Sequence, residues 1–313
     1  ITGVLRIPGI PDPSSRESAQ RSGSDGPERV TVLLPRPRCL LGVRTTGPPG
    51  RPRAPRVGFA AVASADDHRL ARELAEEAGR LLLQLRTAMV ADGVKGRDLG
   101  ARGDDAAHQM LIERLAAARP DDWVLSEESS SEAHDDPARL TAERVWIIDP
   151  LDGTREFGEQ RSDWAVHVAL VEGHVPTAGA VALPGLGLVL ATDDPPEPPP
   201  AARPPRVVVS RTRPPAEAEA VAAALGAELV PMGSAGAKAM AVVRGEAELY
   251  PHSGGQYEWD SCAPVAVALS AGLHASRIDG SPLRYNQPDV YLPDLLICRA
   301  ELADAALGAA AAS

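Results

Sequence analysis

The chain has 313 residues, 44% of them hydrophobic and only 3% aromatic, with 43 acidic against 32 basic side chains and a formal net charge of −11. That length is enough for two domains or one large one, with a core built mostly from Ala, Val and Leu. A charge this negative excludes a general binder of nucleic-acid polymers or anionic membranes, and no run of 18 apolar residues is long enough to span a bilayer.

Residues 1–60 form a leader unlike the remainder. Over residues 1–58 there are 10 Pro, 8 Gly and 10 Arg against four acids, Asp12, Glu17, Asp25 and Glu28. That segment carries +6 and leaves −17 for the rest. It has no periodicity with which to bury a face, so disorder is the expectation. Order is expected from Ser64, where Ser64 and Asp67 make a capping-box pattern. Leu70, Leu74, Leu81, Leu85 and Met89 then recur at helical spacing. A second helix is expected over about 104–118, with Ala107, Leu111 and Leu115 on one face.

Short strands follow at Trp123-Val124-Leu125, at Val145-Trp146-Ile147-Ile148, over 164–170, over 178–182 and over 187–190. The last three read as an antiparallel series turning at Glu172-Gly173. The Pro-rich stretch 193–206 breaks the pattern and marks a boundary between a sub-domain over 61–192 and another over 207–313. Beyond it strand and helix alternate: Val207-Val208-Val209, a helix from Pro215, a strand near Leu229-Val230, a helix from Ala235, a strand over 247–250, a helix from Asp260, and Leu295-Leu296-Ile297. The fold class is therefore α+β in the first half and α/β in the second, in layers. The cysteines Cys39, Cys262 and Cys298 are odd in number and widely spaced, which argues against a disulfide framework or a zinc site and for the cytoplasm.

The chemistry concentrates in Trp146-Ile147-Ile148-Asp149-Pro150-Leu151-Asp152-Gly153-Thr154. An apolar strand ends on a carboxylate, Pro150 turns the chain, and a second carboxylate follows three residues on. With the carbonyl of Leu151 these are oxygen ligands suited to a hard cation, Mg²⁺ or Mn²⁺. Gly153 admits close approach, and its N–H and that of Thr154 open toward a phosphate. Glu127, at another strand end, and Asp260, at a helix start, complete an acidic set; taken singly they read as a surface acid and a helix cap.

These segments resemble the inositol monophosphatase-like, metal-dependent and lithium-sensitive phosphatases, and within them the CysQ-type 3′(2′),5′-bisphosphate nucleotidases. The matching runs are Leu125-Ser126-Glu127-Glu128, residues 149–157, residues 233–238 and Trp259-Asp260-Ser261-Cys262-Ala263. The resemblance spans residue 64 to the C-terminus and implies the sugar-phosphatase fold with two sub-domains. It implies two Mg²⁺ ions, one held by Glu127, Asp149 and the Leu151 carbonyl, the other by Asp149, Asp152 and Asp260, with a weaker third in relatives. Glu127, Asp104 and Thr154 are then catalytic, the last two orienting and deprotonating the attacking water. Gly153, Thr154, Arg155, Arg211, Gly233, Ser234, Lys238 and Asp260 are implied or charge-based candidates for substrate binding.

The implied reaction is removal of the 3′-phosphate of 3′-phosphoadenosine 5′-phosphate, giving AMP and phosphate, a step that clears a by-product of sulfate assimilation. Inositol-1-phosphate or fructose-1,6-bisphosphate hydrolysis is the enzymatic alternative, and a catalytically silent metal-binding relative is the third. The partner is thus a small phosphate ester, and relatives imply a homodimer. The chain departs from the family's pattern at Ala101, where relatives carry Thr, and at His252, where several nucleotidases carry Arg. No catalytic His is needed, and His167 reads as a packing residue.

Overall fold

The computed structural model describes residues 63–312; the leader at 1–60 lies outside the described residues. The Ser64 cap forms as its sequence predicts. Ser64 Oγ accepts from the Asp67 N–H while the Asp67 carboxylate accepts from Ser64, which opens helix α1 (Ala65–Ala91). Its buried stripe runs through Leu70, Leu74, Ala78 and Leu82. It therefore drifts off the expected Leu81 and Leu85, because Ala75, Ala78 and Gly79 let the helix lie close to the sheet beneath. A Cβ on Gly79 would stand 2.6 Å from Pro184.

Helix α2 (Gly96–Ala118) begins eight residues before the expected start, so Asp104 sits inside it, not at its end. Gly100 and Gly103 argue against a helix by propensity, yet both are used for close packing. A Cβ on Gly100 would meet Thr154 Cγ2 at 2.6 Å and the Thr154 carbonyl oxygen at 2.8 Å; one on Gly103 would meet the Phe157 ring at 2.9 Å. The glycines are the reason that Asp104 can reach the short helix α5 (Thr154–Gly158).

The first sheet has the order β1-β2-β3-β4-β5, from β1 (Trp123–Ser126), β2 (Arg144–Asp152), β3 (Ala165–Glu172), β4 (Val175–Leu183) and β5 (Leu188–Ala191). Only β1 and β2 pair in parallel; the remaining pairs are antiparallel. Two short helices, α3 (Ser131–His134) and α4 (Pro137–Thr141), intervene between β1 and β2 and were not legible as periodicity. Along β2 the side chains alternate. Trp146 and Ile148 join a core with α1 and α2, while Val145 and Ile147 join a second core.

After residues 192–205, which carry no helix or strand, come β6 (Arg206–Ser210), α6 (Ala216–Leu225), β7 (Glu228–Met232), α7 (Ala235–Val243) and β8 (Leu249–Tyr257). Then follow α8 (Glu258–Ser270), β9 (His274–Ser276), β10 (Tyr291–Cys298) and α9 (Ala303–Ala310). The second sheet is ordered β7-β6-β8-β10-β9, with β6 parallel to β7 and β8. Its inner face, including Tyr250, Leu295 and Ile297, packs with α7 and α8 against the first sheet; its outer face, including Val207, Val209 and Leu296, packs with α6 and α9. The described residues therefore stack as helices, sheet, helices, sheet, helices. This is the layered α/β arrangement expected, with α7 and α8 in the middle.

Replacing Gly100 with Ala should separate α2 from α5. We expect about 1–3 kcal/mol of destabilisation in a denaturant melt, the usual range for overpacking. A stability equal to that of the native chain would show that the approach is not tight.

Candidate active site

The acidic pair is made by an irregularity in β2. Residues three apart on a regular strand point to opposite faces. Here Asp149 lies opposite His167 and Asp152 opposite Ala165, so three steps on β2 match two on β3. That one-residue bulge, at Pro150-Leu151, returns Asp152 to the face of Asp149. The strand does not end at Asp149 as the sequence suggested; it continues, bulged, to Asp152. Leu151 faces the opposite core, and its N–H donates to Asp149 Oδ1 at 3.0 Å. Gly153 then takes the left-handed conformation, φ 87°, and a Cβ there would lie 2.9 Å from Ser234.

Asp260, in the first turn of α8, joins the pair: carboxylate oxygens of Asp149, Asp152 and Asp260 all lie within 4.8 Å of one another. Glu127 follows the end of β1. The parallel register sets Ser126 opposite Ile148, which brings the Glu127 carboxyl close enough to Asp149 for their charges to interact. On the far side, the Thr154 hydroxyl has two acceptors in reach, Asp104 Oδ2 at 3.3 Å and the Leu151 carbonyl at 3.1 Å. One O–H proton serves one of them at a time. The Asp104 Oδ1 atom is buried and has no partner.

This arrangement is electrostatically costly. Burial, then the charges of Asp104 and Asp260, pushes Glu127 up to about 8. Burial, then Asp152, pushes Asp260 up to about 6. Asp104 rises to about 7 by burial and the charge of Glu128, and Asp149 rises well above the carboxylate range by burial and the charge of Glu127. Asp152 is the exception. Burial opposes its charge too, but His167, Ser234 and Lys238 outweigh that and hold it at about 2. Its oxygens accept from Ser234 Oγ at 2.7 Å, from the Ala235 N–H at 3.0 Å and from the Gly236 N–H. Asp152 thus anchors the first turn of α7 as well as facing the cluster.

His167 lies in the site, contrary to its reading as a packing residue. Its Nδ1–H donates to the Trp259 carbonyl at 3.0 Å, next to Asp260, and its Nε2 stands 3.2 Å from Asp152 Oδ2, outside hydrogen-bond geometry. It braces β3 against α8. A Cβ on Gly236 would fall 2.0 Å from that Nε2, so the glycine is what admits the imidazole. The one signal in the sequence is a titratable residue in the otherwise apolar run 164–170.

The candidate cations are all engaged. Arg155 Nε donates to Glu159 Oε1 at 2.9 Å. Arg211 donates to Glu156 at 2.8 Å and Glu159 at 2.7 Å. Lys238 is buried and turned back onto the Gly233 and Ser234 carbonyls, both at 2.6 Å, with its ammonium 5.3 Å from the centre of the Tyr250 ring. It shapes the loop that Asp152 holds. The Gly233 N–H donates to Asp163 at 2.7 Å, a partner that sequence reasoning did not identify.

The sequence model of the inositol monophosphatase family matches residues 65–194 and 201–312. The chain belongs to the inositol monophosphatase family. Among curated relatives, a 3′-phosphoadenosine 5′-phosphate phosphatase of Mycobacterium bovis is 54% identical over 245 residues, covering 75% of this chain and 90% of that protein. The 3′(2′),5′-bisphosphate nucleotidase CysQ of Escherichia coli is 31% identical over 242 residues, covering 70% and 94%. The crystal structure of CysQ from Bacteroides thetaiotaomicron superposes with a TM-score of 0.64 at 25% identity, over 75% of this chain and 98% of that one.

The family is metal-dependent, and the residues fit a cation. Three buried or half-buried carboxylates converge, with a fourth beside them; Glu127, Asp149 and Asp260 are raised by burial and then by their mutual repulsion, which a divalent ion would offset.

Without metal, these acids hold protons in the fold that they release on unfolding. Stability should therefore fall as pH rises from about 4 to about 8, and a divalent cation should restore it. Replacing Asp149 with Asn should raise the melting temperature of the chelated protein at about pH 8 and diminish the cation-induced rise. Thermal melts with and without chelator would show this; a flat pH profile, or an unchanged cation shift in the variant, would contradict the site.

Proposed function

We propose that the protein is a Mg²⁺-dependent 3′(2′),5′-bisphosphate nucleotidase that removes the 3′-phosphate of 3′-phosphoadenosine 5′-phosphate to give AMP and phosphate. The observation that carries this reading is the Asp149-Asp152-Asp260 cluster with the Asp104–Thr154 pair beside it. The 54% identity to a relative named for that substrate supports the choice of ester.

Glu127, Asp149 and the Leu151 carbonyl would hold one ion, and Asp149, Asp152 and Asp260 a second. Bound Mg²⁺ ions lower the pKa of water and offset the charge that develops on the phosphoryl and leaving oxygens. The chain's residues supply the rest. Thr154 Oγ would orient the attacking water, and Asp104, buried and in hydrogen-bond reach of Thr154, would accept its proton. Asp152 holds the start of α7 beside the site through its bonds to Ser234, Ala235 and Gly236. Gly153, Thr154 and the Gly233–Gly236 loop would receive the phosphate. Arg155 and Arg211, paired as they are with Glu159 and Glu156, would exchange partners to meet a second phosphate.

In this reading the enzyme is cytoplasmic, is inhibited by lithium, works as a homodimer and clears a by-product of sulfate assimilation; Mn²⁺ can replace Mg²⁺.

The test is phosphate release from 3′-phosphoadenosine 5′-phosphate, inositol-1-phosphate and fructose-1,6-bisphosphate, with and without Mg²⁺. We expect the nucleotide to have the highest kcat/KM and the chelated protein to be inactive. Faster turnover of either other ester would overturn the nucleotidase reading, and no turnover of any would favour a silent relative. Asp152→Asn should lower kcat by at least about 100-fold, since it weakens both a ligand and the loop anchor.

A further inference from the structure

Beside the acidic cluster runs a row of stacked rings that neither the metal site nor the phosphate contacts use. His134 lies against Trp259 with ring centres 5.1 Å apart. Trp259 in turn stacks nearly parallel on Tyr257, at 5.0 Å and 13°, and Tyr257 meets Tyr291 edge to face at 6.1 Å and 80°. Trp259 is buried, but Tyr257 is 47% and Tyr291 46% exposed. In a chain with so few aromatic residues, a pair left half in water is conspicuous.

Its position ties it to the site. The backbone N–H of Tyr257 donates to Asp260 Oδ2 at 2.6 Å, so the ring starts within one residue's reach of a cluster carboxylate. Tyr257 and Tyr291 are direct partners across β8 and β10. The β8–β10 register shifts between Leu292 and Asp294, with the extra residue in β8, so alternation along β10 still puts Tyr291 on the side of Leu295 and Ile297, the inner face shared with α7 and α8. Both rings therefore project on the side of the second sheet where the cluster lies. Close packing fixes the platform: a Cβ on Gly255 would collide with the Tyr291 ring, its hydroxyl 2.2 Å away.

The geometry points to Tyr257, flanked by Tyr291, as the surface on which the base of a nucleotide substrate stacks while its phosphate occupies the acidic cluster. This rests on the nucleotidase reading and says what selects a nucleotide over a sugar phosphate: an exposed aromatic surface next to the phosphate site. A polyol ester has no π face to offer it. Stacking of this kind tolerates any base, so adenine and guanine nucleotides should bind similarly.

The test compares AMP with ribose 5-phosphate, which differ by the base alone, by calorimetric titration of the full chain in Mg²⁺. The native protein should bind AMP at least about fivefold more tightly than ribose 5-phosphate. Tyr257→Ala should erase that preference by weakening AMP about tenfold, Tyr291→Ala should reduce it, and Tyr257→Phe should keep it. Equal loss for both ligands would mean that Tyr257 supports Asp260 structurally, and would overturn the proposal. So would a native protein with no preference, or a Tyr257→Ala variant that retains it. Hydrolysis of 3′-phosphoadenosine 5′-phosphate by the native chain, assayed in parallel, reports separately on the nucleotidase reading.

Discussion

One extra residue in one strand governs this structure. Without the bulge at Pro150-Leu151, Asp149 and Asp152 would point into opposite cores, and neither the cluster nor the loop anchor would exist. With it, both carboxylates face the middle layer, where α8 brings Asp260 and α7 brings the Ser234–Gly236 turn. The neighbouring elements are fitted to that kink. Glycines at 100, 153 and 236 remove side chains that would hold Thr154, Ser234 and His167 away.

The same packing explains how an acidic protein can handle an anion. Arg155, Arg211 and Lys238 look from their charge like an attractive rim, but each already serves an acid or a carbonyl. In the proposed reading the field that first draws a phosphate comes from bound cations, and the fold holds a concentrated set of carboxylates that could bind them. Their raised values are the stored cost of that readiness. Asp152 alone is kept ionised by the protein itself, because it must hold the α7 turn whether or not an ion is present. The metal-free fold thus keeps its loop anchored while it lacks the charge that the substrate needs.

Much of this was legible in the sequence. The 149–154 run, Glu127 and Asp260 marked residues that the fold gathers into one acidic cluster, and the order of most strands and helices followed from alternation and capping, with α3, α4, β9 and α9 among those missed. The contacts that close the site were less legible, because they depend on register and close approach. Two residues' spacing says nothing of a bulge until the partner strand is known. Helix α2 was read eight residues short because Gly100 and Gly103 lower helix propensity, although packing on Thr154 and Phe157 requires them. His167 was read as packing because no spacing links it to Asp152 or to Trp259; only the β3 register and the approach of α8 do so. Lys238 stood out as a rare lysine, but its ammonium faces the loop carbonyls.

The central claim is that the bulge gathers Asp149, Asp152 and Asp260 around a divalent cation. Crystals grown with Mn²⁺ and measured at its absorption edge would test this directly. The account predicts an anomalous peak coordinated by oxygens of all three carboxylates. A peak elsewhere, or none at saturating Mn²⁺, would contradict it.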